Sequence, residues 1–316
     1  MKRDISALAA LLLHSFVSAF HSSNQYPTEA ALGYAPPDGT TTFLDASNNP
    51  NVSNSVAFVH FNGSDTTSND VIAQNWTWTV KVSDVFMPNA STTNDSNLPV
   101  VPNAHVAYTT YDFSWPEPGG LNNAISTEAN ATGAPIQSCA WIISGLFPQK
   151  VSKSWDSSSS NCISALGAGC VQGLQNLIST ASGTSCESQS VNLLDPDFTK
   201  ACASSLNAIH STEEGEAFWP RNFGNATASN AASLQKGEVF SYSLSPPYTP
   251  SNMSIFDSEA DNLHVLALTG NTVNVLCNRG SGGGEVAATG SASSQTNVHM
   301  TIIGIVAVTA GMLGSW

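Results

Sequence analysis

The chain has 316 residues, with only 9 Lys or Arg against 23 Asp or Glu and a net charge of −14. That balance argues against nucleic acid and anionic lipid headgroups as partners, because both demand basic patches. Charged residues are only 10% of the total, so Ser, Thr and Asn must make up most of the polar surface.

The first nineteen residues read as a secretory signal. Lys2 and Arg3 precede an apolar run from Ile5 to Val17, and Val17 and Ala19 occupy the small-residue positions before a cut. The run falls short of the roughly 20 apolar residues that span a bilayer. The mature chain is therefore expected to start at Phe20. A cut one residue later would expose His21, whose amine and ring could chelate copper with His60 or His105 as second ligand.

Residues 20–55 are rich in Pro, Asn, Thr and Asp and read as an irregular arm. Strand signals follow. Val56 to Phe61 is a β-rich run closed by Asn62-Gly63. Asn75-Trp-Thr-Trp-Thr-Val-Lys-Val82 alternates with the period of a half-buried strand. If Asn75 carries a glycan, its face is solvent, and Thr77, Thr79 and Lys81 lie there too. Trp76, Trp78, Val80 and Val82 then face the core rather than forming a sugar-stacking platform. Residues 87–103 read as a loop. A third strand runs from His105 to Trp115 and ends in the turn Pro116-Glu-Pro-Gly-Gly120.

The period then changes. Ile163, Leu166, Cys170, Leu174, Leu177 and Ile178 recur at helical spacing, with a break expected near Gly169. A second helix is expected over Phe198–Ile209, capped by Asp197. Strands return at 238–244, 263–268 and 272–277. The last two are joined by a short turn containing Gly270.

Residues 278–290 read as a short linker rich in small residues. Ser291 to His299 is a polar spacer, and Met300 to Trp316 is an apolar tail with no basic residue after it. That order is the signal for a GPI anchor, attached at Gly290 or alternatively Ala288, with 291–316 removed. The partner so implied is the outer leaflet of the plasma membrane.

Six cysteines follow the leader: Cys139, Cys162, Cys170, Cys186, Cys202 and Cys277. An even number in an exported chain reads as three disulfides. Five of them cluster at 139–202, and Cys277 is expected to pair with Cys139. Eight Asn-X-Ser/Thr sequons, at Asn51, Asn62, Asn75, Asn89, Asn94, Asn130, Asn225 and Asn252, agree with export.

No Gly-X-Ser-X-Gly elbow, His-Glu-X-X-His helix, phosphate-binding glycine loop or EF-hand loop is present. Glycoside hydrolysis needs two carboxylates facing one bond. Glu117 and the cluster Glu213, Glu214, Glu216 are the candidates, although Glu117 reads first as a turn residue and the cluster reads first as a solvated loop. His60, His105 and His264 lie on expected strands and read first as structural. No cofactor is implied, and His21, His60 and His105 are the candidate metal ligands.

The segment His105-Val-Ala-Tyr-Thr-Thr-Tyr-Asp-Phe-Ser-Trp-Pro-Glu117 and the segment Cys162-Ile-Ser-Ala-Leu-Gly-Ala-Gly-Cys170-Val-Gln-Gly-Leu174 resemble uncharacterised secreted, GPI-anchored surface glycoproteins of filamentous fungi. The likeness covers roughly residues 55–278. It implies a fungal cell-surface setting and carries over no catalytic residue.

The expectation is a mainly β (α+β) fold. A β-sandwich-like ectodomain over 20–277 would hold a disulfide-stapled helical insertion at about 139–219. The function read from this is a non-enzymatic surface glycoprotein, adhesive, structural or envelope-protective, touching cell-wall glycan or another surface protein. The alternatives are a wall-polysaccharide enzyme using a carboxylate pair, and a copper protein using His21.

Overall fold

Alternation of apolar and polar residues builds two antiparallel sheets. The computed structural model describes residues 41–59, 75–87, 101–132, 137–181, 191–193, 195–206, 217–218, 221–225, 234–269 and 273–281. The leader, His21, His60 and the apolar tail with Gly290 and Ala288 lie outside them. Glu213, Glu214, Glu216, Cys186 and the sequons Asn62, Asn89 and Asn94 lie outside them too. Among the described residues no helix is long and apolar enough to cross a membrane.

The first sheet has the order β1-β2-β3-β8, with β1 Val52–Val59, β2 Asn75–Phe86, β3 His105–Ser114 and β8 Val239–Leu244. The second has the order β10-β9-β4-β7, with β4 Gln137–Ile143, β7 Arg221–Asn225, β9 His264–Thr269 and β10 Val273–Asn278. A two-stranded ribbon, β5 Val191–Asn192 with β6 Ala217–Phe218, lies between β4 and β7 in sequence. Each large sheet thus joins strands from both sides of the helical segment.

The period-two reading of β2 holds. Trp76, Trp78, Val80 and Val82 are fully buried, while Thr77, Thr79 and Lys81 are partly exposed on the other face. The inward residues enter one continuous core with Tyr111 and Phe113 of β3 and with Trp141, Ile143, Val265 and Ala267 of the second sheet. Truncating a buried Trp of this kind costs about 3–5 kcal/mol.

β3 is buried on both faces. Its second face meets a smaller core capped by helix α1, Thr41–Asn48. Phe43 sets its ring edge on Tyr108 at 4.8 Å, and the Ser83 hydroxyl donates to the Ala46 carbonyl at 2.8 Å. This helix occupies part of the expected irregular arm. Its apolar stripe is so narrow that only Phe43 and Ser47 are buried, which leaves little periodicity to detect.

Among the described residues six further helices follow: α2 Leu121–Thr132, α3 Gln149–Lys153, α4 Ile163–Leu166, α5 Ala168–Ala181, α6 Pro196–Ala201 and α7 Ser254–Asp261. Helix and strand are about equally represented among the described residues, so the chain is α+β rather than mainly β. α2 escaped the sequence reading because it is mostly polar, burying Leu121, Ala124 and Ile125 at i, i+3, i+4. Residues 139–143 belong to strand β4, paired on both sides, and not to a helical module.

The expected helix break falls at Gly167 rather than Gly169. Gly167 has φ +78°, a conformation that L side chains rarely adopt. Farther on, a Cβ on Gly173 would come within 2.8 Å of the Ala201 Cβ, so glycine there lets α5 approach α6. The cap of α6 is Asp195, whose carboxylate accepts from the Asp197 and Phe198 backbone N–H groups at 3.0 and 2.9 Å. Asp197, expected as the cap, instead lies in the first turn, where its charge suits the helix dipole.

Cys277 pairs with Cys162, not with Cys139. The reason is strand order. Cys139 sits on β4, and β9 separates that strand from β10. Asn161 bridges Leu276 directly, and the Cys277 N–H donates to the Ser160 carbonyl at 2.8 Å, so the chain before α4 is β10's neighbour. Cys170–Cys202 ties α5 to the end of α6. Cys139 is also disulfide-bonded, with its partner outside the described residues.

Candidate functional site

The cluster of chemically versatile side chains closest to solvent is assembled by the β2–β3 register. His105 begins β3 opposite Phe86, the last residue of β2. Period two then places Asp84 on the same face as Phe86. Asp84 Oδ1 accepts from His105 Nδ1 at 2.8 Å and from the Tyr248 hydroxyl at 2.6 Å.

Tyr248 is brought in by a bridge outside the regular strands. Its backbone and that of His105 exchange both hydrogen bonds at 2.8 Å. Burial and the bond to Asp84 hold the Tyr248 hydroxyl well above the ordinary tyrosine range, so it serves as a donor. The His105 and Asp84 side chains keep about a fifth of their surface exposed, 18% and 21%. The Phe86 ring lies 5.3 Å from the imidazole on one side and the Tyr248 ring 6.1 Å on the other.

A carboxylate at Nδ1 fixes that nitrogen as the proton carrier and leaves Nε2 as the acceptor of the neutral ring. This is half of an acid–base device. Among the described residues no hydroxyl or thiol completes it at Nε2, and no group of three or more His, Cys, Asp or Glu is placed to hold a metal. What the cluster does in the fold is fasten β2, β3 and the segment after β8 together. The sequence reading named His105 but not its partner. Asp84 comes into range only through strand pairing.

A second polar cluster joins the two sheets inside the core. The Tyr111 hydroxyl of β3 and His264 Nδ1 of β9 lie 3.1 Å apart, both buried. Burial pushes the Tyr111 hydroxyl up and pulls the His264 ring down to about 4, so His264 is neutral near pH 7. Glu259 on α7 is pushed up to about 7 by burial, opposed by the Asn262 amide that donates to it at 3.3 Å.

Glu117 is buried, and among the described residues neither carboxylate oxygen has a hydrogen-bond partner. It lies in the bend before α2, where the Trp115 indole donates to the Gly119 carbonyl at 3.1 Å and Lys236 Nζ to that of Pro116 at 3.3 Å. Lys81 is not the free surface lysine that its alternation suggests. Its ammonium lies 2.7 Å from Asp112 Oδ2, with Asp112 only 5% exposed. Burial raises the Asp112 carboxyl, while Lys81 pulls the other way.

Three sequons have described side chains, Asn51, Asn130 and Asn252, and all are exposed. Asn51 Oδ1 accepts from the Asp84 backbone N–H at 2.7 Å. Asn252 Oδ1 accepts from the Ser254 hydroxyl of its own sequon at 2.6 Å. Asn75 and Asn225 are placed only by backbone, at the ends of β2 and β7.

No protein-family model, curated protein or solved structure matches this chain.

Proposed function

We propose that the chain is a GPI-anchored extracellular glycoprotein of the fungal cell surface, non-enzymatic, with an adhesive, structural or envelope-protective role. The observation that carries this is the state of the cysteines. Every cysteine among the described residues is disulfide-bonded, as an exported chain requires. Exposure of Asn51, Asn130 and Asn252 supports glycosylation, since a used sequon must face solvent. The resemblance to secreted glycoproteins of filamentous fungi supports the setting.

The frame is read as a β-sandwich-like pair of sheets with disulfide-stapled helices. A core shared by both sheets and the Tyr111–His264 contact between them support that reading. The Asp84–His105–Tyr248 cluster fits a structural fastening. The partners in this reading are the outer leaflet, reached through the lipid, and cell-wall glycan or another surface protein.

Treating intact cells with a phospholipase that cuts glycosylphosphatidylinositol tests the anchor. Release of the protein is expected, in a form whose mass falls on N-glycosidase digestion. Retention on the membrane would overturn the lipid anchor, and an unchanged mass would overturn the glycoprotein reading.

A further inference from the structure

Asn51 stands just before β1, and its amide is oriented. Oδ1 is engaged by the Asp84 backbone N–H at 2.7 Å, so Nδ2 is the half of the exposed amide left to solvent. Nδ2 is the atom that takes the sugar in an Asn-X-Ser sequon. A glycan attached there leaves the bond to Asp84 intact.

The β1–β2 register shows what lies beside it. β1 starts at Val52, opposite Val82, whereas β2 runs on to Phe86. Residues 83–86 of β2 therefore extend past the start of β1, and Asn51 is hydrogen-bonded to that overhang. Phe86 stands on it two residues beyond Asp84, about 7 Å along the strand. Phe86 is 44% exposed, one of three large hydrophobic residues that are exposed among the described residues. The His105 ring backs it at 5.3 Å, held in place by Asp84.

We infer that the glycan on Asn51 lies back along this overhang, with the C–H face of its innermost N-acetylglucosamine rings against Phe86. The inference rests on the glycoprotein reading above. Covalent attachment makes the sugar an intramolecular ligand at high effective concentration, so a shallow contact suffices. Phe86 is apolar surface whose removal from water is favourable. His105 Nε2, the ring nitrogen not bonded to Asp84, is a polar group beside that ring for a sugar hydroxyl or acetamide to meet.

The test uses the full chain secreted from a glycosylating host. Ser53→Ala removes the acceptor hydroxyl of the sequon while keeping Asn51 and its bond to Asp84. Phe86→Ser removes the platform. Glycopeptide mass spectrometry is expected to find Asn51 occupied. Ser53→Ala should then lower Tm by about 2–4 °C, the shift that about 1 kcal/mol produces in a domain of this size. In the Phe86→Ser background it should leave Tm unchanged. An equal Tm loss in both backgrounds, or none in either, overturns the inference. So does an empty Asn51 on a protein glycosylated at other sequons, which leaves the glycoprotein reading standing. A protein with no occupied sequon overturns both.

Discussion

Asn54 in β1 and Asn278 at the end of β10 are hydrogen-bonded to each other although 224 positions separate them. Asn54 Nδ2 donates to Asn278 Oδ1 at 2.8 Å, and Asn278 Nδ2 donates to the Asn54 and Trp78 carbonyls at 3.1 and 3.2 Å. The Arg279 N–H donates to the same Oδ1 at 2.8 Å. Asn278 is fully buried with its amide engaged at both ends. Asn278→Ala should cost about 2–4 kcal/mol, because it strands several buried polar groups at once. Urea unfolding measures this, and a loss below 1 kcal/mol would mean that the bonds are not made in solution.

Lys81 and Asp112 form the corresponding charged contact on the other face of the first sheet. Lys81→Met alone leaves a buried carboxylate without its partner and should destabilise by about 3–5 kcal/mol. The double change Lys81→Met, Asp112→Leu should recover most of that loss. A double variant no more stable than the single would show that Asp112 is not the cause.

The Cys162–Cys277 disulfide closes a loop across 115 positions. Removing it as the Cys162→Ser, Cys277→Ser pair should cost about 2–5 kcal/mol. Peptide mapping of the non-reduced protein should recover the two cysteines in one linked species. Recovery of Cys277 linked to Cys139 would contradict the strand order of the second sheet.

Glu259 and His264 set a pH optimum on the acid side of neutrality. Glu259 is held up to about 7 from an ordinary 4.5. The folded state binds that proton more tightly, so its contribution is complete below about 4.5 and is lost as pH rises through 7. His264 is held down to about 4 from an ordinary 6.5. Its contribution is complete above 6.5 and is lost as pH falls through 4. Between about pH 4.5 and 6.5 the two slopes oppose, so stability should be flat there and fall on either side. Denaturant unfolding across pH 3.5–8 measures it. Glu259→Gln should remove the alkaline decline and lengthen the acid limb up to about pH 6.5, because nothing then opposes His264, and an unaltered alkaline limb would exclude Glu259 as its source.

Much of the strand content is visible in the chain because a half-buried strand writes its period into neighbouring residues. β2 alternates, and its inward tryptophans follow from that alternation once the sequon at Asn75 is taken to face solvent. β3, β8, β9 and β10 appear as dense β-branched and aromatic runs. The polar helices are harder. α1 buries little more than Phe43, and α2 opens as Leu-Asn-Asn-Ala-Ile-Ser-Thr-Glu, so neither stripe stands out in the sequence. β4 is not legible in the sequence, because Cys139 clusters in the chain with the helical cysteines while its segment pairs on both sides as a central strand.

The candidate site was half legible. His105 stands out as a histidine on a strand, but Asp84 and Tyr248 lie 21 residues before it and in a distant segment. No spacing rule links them, since the β2–β3 pairing and the His105–Tyr248 bridge create the contact. Glu117 was legible as a turn residue, but not as a buried carboxylate with no hydrogen-bond partner among the described residues.

The sequence by itself determined the acidic, cysteine-bearing and sequon-rich character of the chain, and the inward face of β2, because these depend on composition and local period. Tertiary structure alone decided that Cys277 meets Cys162, that Lys81 is paired rather than free, and that Asp84 holds His105. Each depends on which strands lie side by side and in what register. A one-residue slip would turn the strand-borne side chains among these, Cys277, Lys81, Asp84, Asp112 and His105, to the other face. That register is fixed by the whole core at once, not by any segment read alone.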